Sequence, residues 1–347
     1  MLYLRRRKLE NVEDLRSWLL GAVRLELSTI PPYLTALYSI VPDTNRDIAA
    51  IIRRVATQEM LHMCLACNIL NAVGGRPMLN APGVRPTYPG PLPMGIGDEP
   101  GDPFIVPLKR LSLELVQNVF MVIEEPEDPL KFPTRRAATA QARPDYHTIG
   151  EFYNALAAVI ADLGPSIFTG DPRRQVKGWF PADELFPVVD VASAERAIQV
   201  IVRQGEGTQT SPLDPEGGLA HYYLYSEIVK GRRLVTDPSV PEGYSYSGKP
   251  IVFDPTGVFP MVDNPTQVVL PSNSLVARLA NQFDQTYTAL LNALQATVDG
   301  DPNNLDVAIG LMYTLRLEAQ QLLVTPIPGG RGNAGPRWQF VGGYASG

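Results

Sequence analysis

IAAIIRRVATQEMLHMCLACNILNAV, residues 48–73, carries its apolar side chains at intervals of three and four. Ile52, Val55, Glu59, His62, Ala66 and Ile69 share that spacing. It is the period of one helix face, so Glu59 and His62 fall on an otherwise apolar stripe. Residues three apart on a helix stand one above the other. A charged carboxylate on a core-facing stripe requires a partner, and a metal ion is one of the few that suits both a carboxylate and an imidazole. Cys64 and Cys67 have redox-motif spacing, but they are rotated about 200° and 140° from His62, away from Glu59. They read as packing residues.

Working outward, Thr44 followed by Asp47 is a weak capping box that starts this helix, and Gly74-Gly75 ends it. Upstream, residues 12–30 read as a helix with Leu15, Leu19, Ala22, Glu26, Thr29 and Ile30 near one face, continuing to about Ile40. Pro31-Pro32 removes two amide donors, so a kink or a break is expected there. If the helix continues, Glu26, Ile30, Tyr33 and Leu37 share a face. Downstream, further helices are predicted over 108–124, stopped by Glu125-Pro126, over 148–163, and over 194–205, capped by Ser193. The pattern breaks at Gly205-Glu206-Gly207 and returns over 218–229. Residues 231–271 look irregular, with one short hairpin around Lys249 to Phe253. A late pair, 273–297 and 304–324, is joined by the turn Asp299-Gly300-Asp301-Pro302 and so is expected to be antiparallel. The tail from Pro326 is expected on the surface or partly mobile.

At 347 residues, 45% hydrophobic and 19% charged, the chain can bury a large core without disulfides. Its 33 prolines and 29 glycines concentrate in 74–107, 126–144, 164–190, 205–218, 231–271 and 326–347. Long irregular connections therefore join a few helices, and loops of that length suggest a covered site. The net charge of −6, with no basic run beyond Arg5 to Lys8, argues against nucleic acid. No apolar stretch reaches the roughly 18 residues that span a bilayer, and no secretory signal is recognisable, so no membrane is expected. Two cysteines make no disulfide framework, and a cytoplasmic location is expected. No phosphate-binding glycine loop or Gly-x-Ser-x-Gly elbow is present.

In a four-helix metal bundle, two ions can be held by a Glu from each of two helices and a Glu-x-x-His pair from each of the others. Here the candidates are Glu26, then Glu59 with His62, then Glu151, then Glu206 and His221. Four carboxylates and two imidazoles favour iron, as one or two ions, with manganese the alternative. Each has a rival reading, Glu26 as a snorkelling or salt-bridged residue at the edge of the stripe, and Glu59 with His62 as a hydrogen-bonded core pair. Thr148-Ile149-Gly150-Glu151 matches a capping box, which would turn Glu151 to the Thr148 amide unless the helix begins a turn earlier. Glu206 is either a solvated turn residue or a ligand aimed by its flanking glycines. His221 follows Glu206 by 15 residues rather than three, so it joins the set only if 207–217 loop out. His147 reads as a ligand, a hydrogen-bond donor to one, or a helix-terminus residue. Asp162, Tyr33 and Tyr222 are candidates to orient the ligands.

Leu25-Glu-Leu-Ser-Thr-Ile-Pro-Pro-Tyr-Leu, Gln58-Glu-Met-Leu-His-Met, Thr148-Ile-Gly-Glu-Phe-Tyr, and Gln204-Gly-Glu-Gly followed by His221-Tyr resemble one family. They are similar to the ferritin-like domain of the iminophenyl-pyruvate dimer synthases, which couple oxidised tryptophan-derived units in violacein and indolocarbazole pathways. The resemblance covers roughly 12–230. It implies an all-α, ferritin-like four-helix bundle with long connecting loops, to which the chain's own pattern adds a C-terminal helical pair, the irregular loop, two helices and tail of 231–347 being expected to pack on the bundle. It also implies that Glu26, Glu59, His62, Glu151, Glu206 and His221 form the iron site, and that the interrupted helix is ordinary for the family. Those synthases are much longer, so their substrate does not transfer with the fold.

The leading expectation is a non-haem, di-iron oxidoreductase acting with O2 or peroxide on a small aromatic or amino-acid-derived substrate. Glu59, His62 and Glu206 are its expected catalytic ligands. Iron storage is a second reading and a non-catalytic helical bundle a third. The late helices are expected either to pack on the bundle or to form a homodimer contact.

Overall fold

The computed structural model describes residues 11–98, 101–126, 148–207, 211–213, 217–330 and 332–342. Two long helices form its centre, α1 (Val12–Tyr38) and α2 (Arg46–Ala72). Asn11 caps α1 by accepting hydrogen bonds from the amides of Glu13 and Asp14. Pro31 and Pro32 lie inside α1, which continues through them as one helix to Tyr38, so of the two outcomes expected there the break does not occur. Part of the reason is visible at Ser28, whose carbonyl would have received the amide that Pro32 lacks. It accepts the Tyr88 hydroxyl at 2.7 Å instead.

The α2 helix starts one residue later than expected. Asn45 stands at the cap in the left-handed region, and the Thr44 hydroxyl is spent on the Val41 and Gly257 carbonyls rather than on a capping box. The other end follows the glycines. Gly74, at φ +75, donates to the Asn71 carbonyl and Gly75 to that of Leu70, the paired closure that a left-handed glycine permits.

Four shorter helical pieces close the inner side of this pair. One runs as α3 (Leu113–Leu115), a π-helical segment (Val116–Phe120) and α4 (Met121–Ile123). The others are α5 (Ile149–Leu163), α6 (Val191–Glu206) and α7 (His221–Lys230). Packing runs α1 on α5, α2 on α6 and α7, and α7 on the π-helical segment. Asp190, not Ser193, caps α6. Ser193 sits three residues on and returns the hydrogen bond.

On the outer side, α8 (Leu275–Val298) and α9 (Asn304–Leu323) pack on each other and touch α2 and α1 respectively. Among the described residues the strands are two-residue pieces in two antiparallel pairs, β1 (Gly90–Pro91) with β2 (Ile105–Val106) and β3 (Val235–Thr236) with β4 (Tyr244–Ser245). The hairpin expected at Lys249 to Phe253 is absent there, and Pro250 makes only an isolated bridge to Arg232. The tail is not a surface strap. Trp338 is buried, donates its indole N–H to Thr35 Oγ1 at 2.8 Å, and stands edge-on to Phe283 and Tyr287. It thereby ties α8 to α1. No described helix is long and apolar enough to cross a membrane.

Candidate metal centre

The inner face of α1 and α2 carries charge where a helical core ordinarily carries none. Glu26, Glu59 and His62 are each at most 2% exposed. His62 Nδ1 lies 3.4 Å from Glu59 Oε1 and 3.9 Å from Glu26 Oε2. Two further buried groups complete the cluster, His221 at the first position of α7 and Glu124 just past α4. His221 Nδ1 lies 3.0 Å from Glu59 Oε1 and 3.3 Å from Glu124 Oε2. Two sets of ligand atoms therefore converge, Glu26 with Glu59 and His62, and Glu59 with Glu124 and His221, each within 4.8 Å. Glu59 belongs to both.

The surroundings repeat in the same way. His62 Nε2 faces the Gln204 amide oxygen at 2.9 Å, and His221 Nε2 faces that of Gln58 at 3.1 Å. An N–H on each Nε2 donates to those oxygens, which leaves each Nδ1 turned toward the carboxylates. The Tyr153 hydroxyl donates to Glu26 Oε1 at 2.5 Å, and the Tyr33 hydroxyl to Glu124 Oε1 at 2.5 Å. Thr29 Oγ1 holds the outer oxygen of Glu59 at 2.8 Å. The two imidazoles are stacked 5.5 Å apart. Each terminal carboxylate thus has one oxygen on a tyrosine and the other free to face inward. Such outer partners fix the ligand groups in place.

Charge in so dry a place perturbs every group. Glu26 is pushed well above the usual carboxylate range by burial and by the neighbouring Glu59 charge. Burial and the Glu59 charge likewise raise Glu124, against the pull of His221. Burial would also raise Glu59, but hydrogen bonds from His221 and His62 hold it below the ordinary range. For His221 burial works against protonation, and Glu124 with Glu59 overcomes it and brings the imidazole up to about 9. Tyr33 and Tyr153 are driven up by burial and then by the carboxylates they serve. Three carboxylates crowd one point, and the His221 proton is a partial counter-charge for them. Tyr225 adds a buried hydroxyl with no hydrogen-bond partner among the described residues, raised by burial and by the Glu124 and Glu59 charges. Carboxylate oxygens with two imidazole nitrogens and no thiolate fit iron or manganese, and they supply the charge that a divalent cation would neutralise.

Two expected ligands are placed elsewhere, and this corrects the set. Glu151 closes a capping box, its carboxylate accepting from the Thr148 amide while its own amide donates to the Thr148 hydroxyl. Glu206 Oε1 accepts from the Gly150 amide at 2.6 Å. A Cβ at Gly150 would stand 2.2 Å from the other Glu206 oxygen, so glycine is required for this approach. Both carboxylates therefore serve the first turn of α5, whose unpaired amides and positive dipole end attract anions. Asp162 is exposed and Tyr222 packs edge-on to Tyr223, so of the three proposed supports only Tyr33 reaches the cluster. His147 lies outside the described residues. The cysteines are buried, with burial pushing Cys64 up to about 12.

The sequence reading missed Glu124, Gln58, Gln204 and Tyr153. One signal for Glu124 was present, since Val116, Phe120 and Glu124 are spaced by four and all are buried. It was masked by reading Glu125-Pro126 only as a stop.

Comparison with known proteins agrees with this architecture. No curated protein matches the chain at a significant level. The crystal structure of a ferritin-like protein from Caulobacter vibrioides is similar at 26% identity, covering 95% of this chain and 99% of that one, with a TM-score of 0.65. The profile of the Ferritin-like family matches residues 19–230, the span that holds all five buried cluster residues. The chain therefore belongs to the Ferritin-like family.

Proposed function

We propose that this protein is a non-haem iron oxidoreductase that holds two ions and uses O2 or peroxide to oxidise a small aromatic or amino-acid-derived substrate. The observation that carries the reading is Glu59, shared by two sets that each have their own carboxylate, histidine, tyrosine and glutamine. Glu26 and His62 would hold one ion, Glu124 and His221 the other, with Glu59 common to both. Five side chains do not saturate two ions, so positions stay open for small ligands. Bound iron would supply the electrons for reducing the oxidant.

The chain's own groups do the rest. Gln58 and Gln204 hold the imidazole planes, and Thr29, Tyr33 and Tyr153 fix one oxygen of each carboxylate, so little reorganisation is needed when charge arrives. Phe120, Phe152 and Tyr225 pack around these tyrosines and exclude water. His221 Nδ1 is placed to hold a proton between Glu59 and Glu124 or to give it up when a cation enters.

The test is anaerobic loading of metal-stripped protein with Fe2+, followed by O2. Binding is expected to stop at two ions per chain, and O2 addition to give a near-ultraviolet absorbance rise and O2 consumption that increases with an oxidisable indole or aromatic amino acid. If Glu59→Gln consumes O2 as fast as the parent chain, or if uptake continues to many ions per chain, the enzyme reading fails. The second outcome would indicate a store.

A further inference from the structure

The outer face of the α1–α2 pair carries a second cavity, unrelated to the charged cluster. A cleft of about 600 Å³ runs between the ends of α1 and α2 and helix α9, a size that suits a small organic ligand. It shares Leu34, Tyr38, Met60, Trp179 and Met312 with a narrower inner recess of about 50 Å³. The two adjoin along those side chains. No charged side chain lines the recess, which ends against leucines of α8 and the Trp338 ring.

The mouth is different. Arg46, Arg53 and Arg316 line the cleft with one carboxylate, Asp43. Arg46 is paired to Asp43 at 2.9 Å. Arg53 and Arg316 have no ion-pair partner among the described residues. Arg316 also acts on the Tyr38 hydroxyl, lowering a pKa that burial raises. Tyr38 lines both recess and cleft, so the positive charge sits near their junction. Met60 and Met63, three apart on α2, face the recess, while Glu59 and His62 face the cluster. A helix turns about 100° per residue, which puts the wall of α1 and α2 between the two places.

We propose that this cavity binds a monocarboxylic acid with a long apolar body, the body lying along the Leu34, Met60, Trp179 and Met312 side of the cleft with only its end at the recess, and the carboxylate on Arg53 and Arg316. A dry apolar end with flexible methionines accepts a chain of variable shape. Two guanidinium groups without carboxylate partners match one anionic head, since arginine pairs with a carboxylate through parallel hydrogen bonds. The site does not depend on metal.

Two of the three tryptophans, Trp179 and Trp338, line the recess, so intrinsic fluorescence reports its occupancy. The full chain is titrated with monomeric dodecanoate and with dodecan-1-ol, by fluorescence and by calorimetry. A saturable, one-to-one response to dodecanoate is expected, with the alcohol at least about tenfold weaker. Arg53→Gln with Arg316→Gln, both exposed positions, is expected to weaken dodecanoate about tenfold and leave the alcohol unchanged. Met312→Phe, which narrows the recess, is expected to weaken both. Glu59→Gln is expected to change neither. Equal binding of acid and alcohol in the parent chain, no heat and no fluorescence change, loss of binding in Glu59→Gln, or attachment to phosphatidylcholine vesicles in place of free acid would each overturn the proposal.

Discussion

The two halves of the buried cluster use the same four residue types but space them differently. In one, His62 Nδ1 stands 3.4 Å from Glu59 and 3.9 Å from Glu26. In the other, His221 Nδ1 stands 3.0 Å from Glu59 and 3.3 Å from Glu124. The tighter half grips a proton, and its imidazole is lifted to about 9. A cation entering there must displace that proton, which costs about 3 kcal/mol at neutral pH for an imidazole held so far above neutrality. Thr29 holds the outer oxygen of the shared carboxylate and so serves both halves alike. Equal ligand types therefore need not make equal sites, and the His62 half should fill first.

The largest expected effect separates the shared residue from the unshared ones. Glu59→Gln should lose both ions, with metal content in purified protein falling at least tenfold by elemental analysis. Glu26→Gln and Glu124→Gln should each retain one ion, and the tighter ion should survive in Glu124→Gln. Equal first-ion affinity in those two variants would break the ranking of the halves.

A smaller effect is expected from pH. The folded-state pKa of His221, about 9, lies above the 6.5 of an unperturbed imidazole, so the folded chain holds a proton that the unfolded chain releases earlier. That contribution is fully present below about 6.5 and disappears as pH rises through about 9. Glu26 and Glu124 are also raised and act in the same direction from lower pH. Metal-stripped protein should therefore lose up to about 3 kcal/mol between pH 6.5 and 9, seen as a falling thermal midpoint. His221→Gln should flatten that slope. A midpoint that rises over this range in stripped protein would show that the tighter half does not hold its proton.

The smallest effect belongs to the carboxylates outside both halves. Glu151→Ala and Glu206→Ala remove partners of the α5 amides and should each cost about 1 kcal/mol of stability. Metal content should not change. If Glu206→Ala loses an ion, Glu206 is part of one half and the two-set description is incomplete.

These outcomes bear on what could be read in advance. The apolar stripes of α1 and α2 exposed Glu26, Glu59 and His62 because each is set by spacing within its own helix. Glu151 could be read two ways from its own segment, and Thr148 decided it for the cap. Glu206 looked free between glycines, but Gly150, 56 positions away, offered it an amide. Glu124 was passed over because Glu125-Pro126 read only as the end of its helix, and its partners Tyr33 and His221 come from distant segments.

The order of residues alone was enough to set the main helices, the cap pattern at Thr148 and the glycine stop at Gly74, and the inward stripe of α1 and α2. Hydrogen bonds between residues four apart and the alternation of polar with apolar side chains are local, and local order can be read in a line of letters. Packing in three dimensions chose which carboxylate from a distant segment meets His221, which glutamines hold the imidazoles, and that Trp338 belongs to the core. The Tyr33–Glu124 and His62–Gln204 bonds join positions 91 and 142 apart. Bonds of that kind form only after packing has selected which helix faces touch.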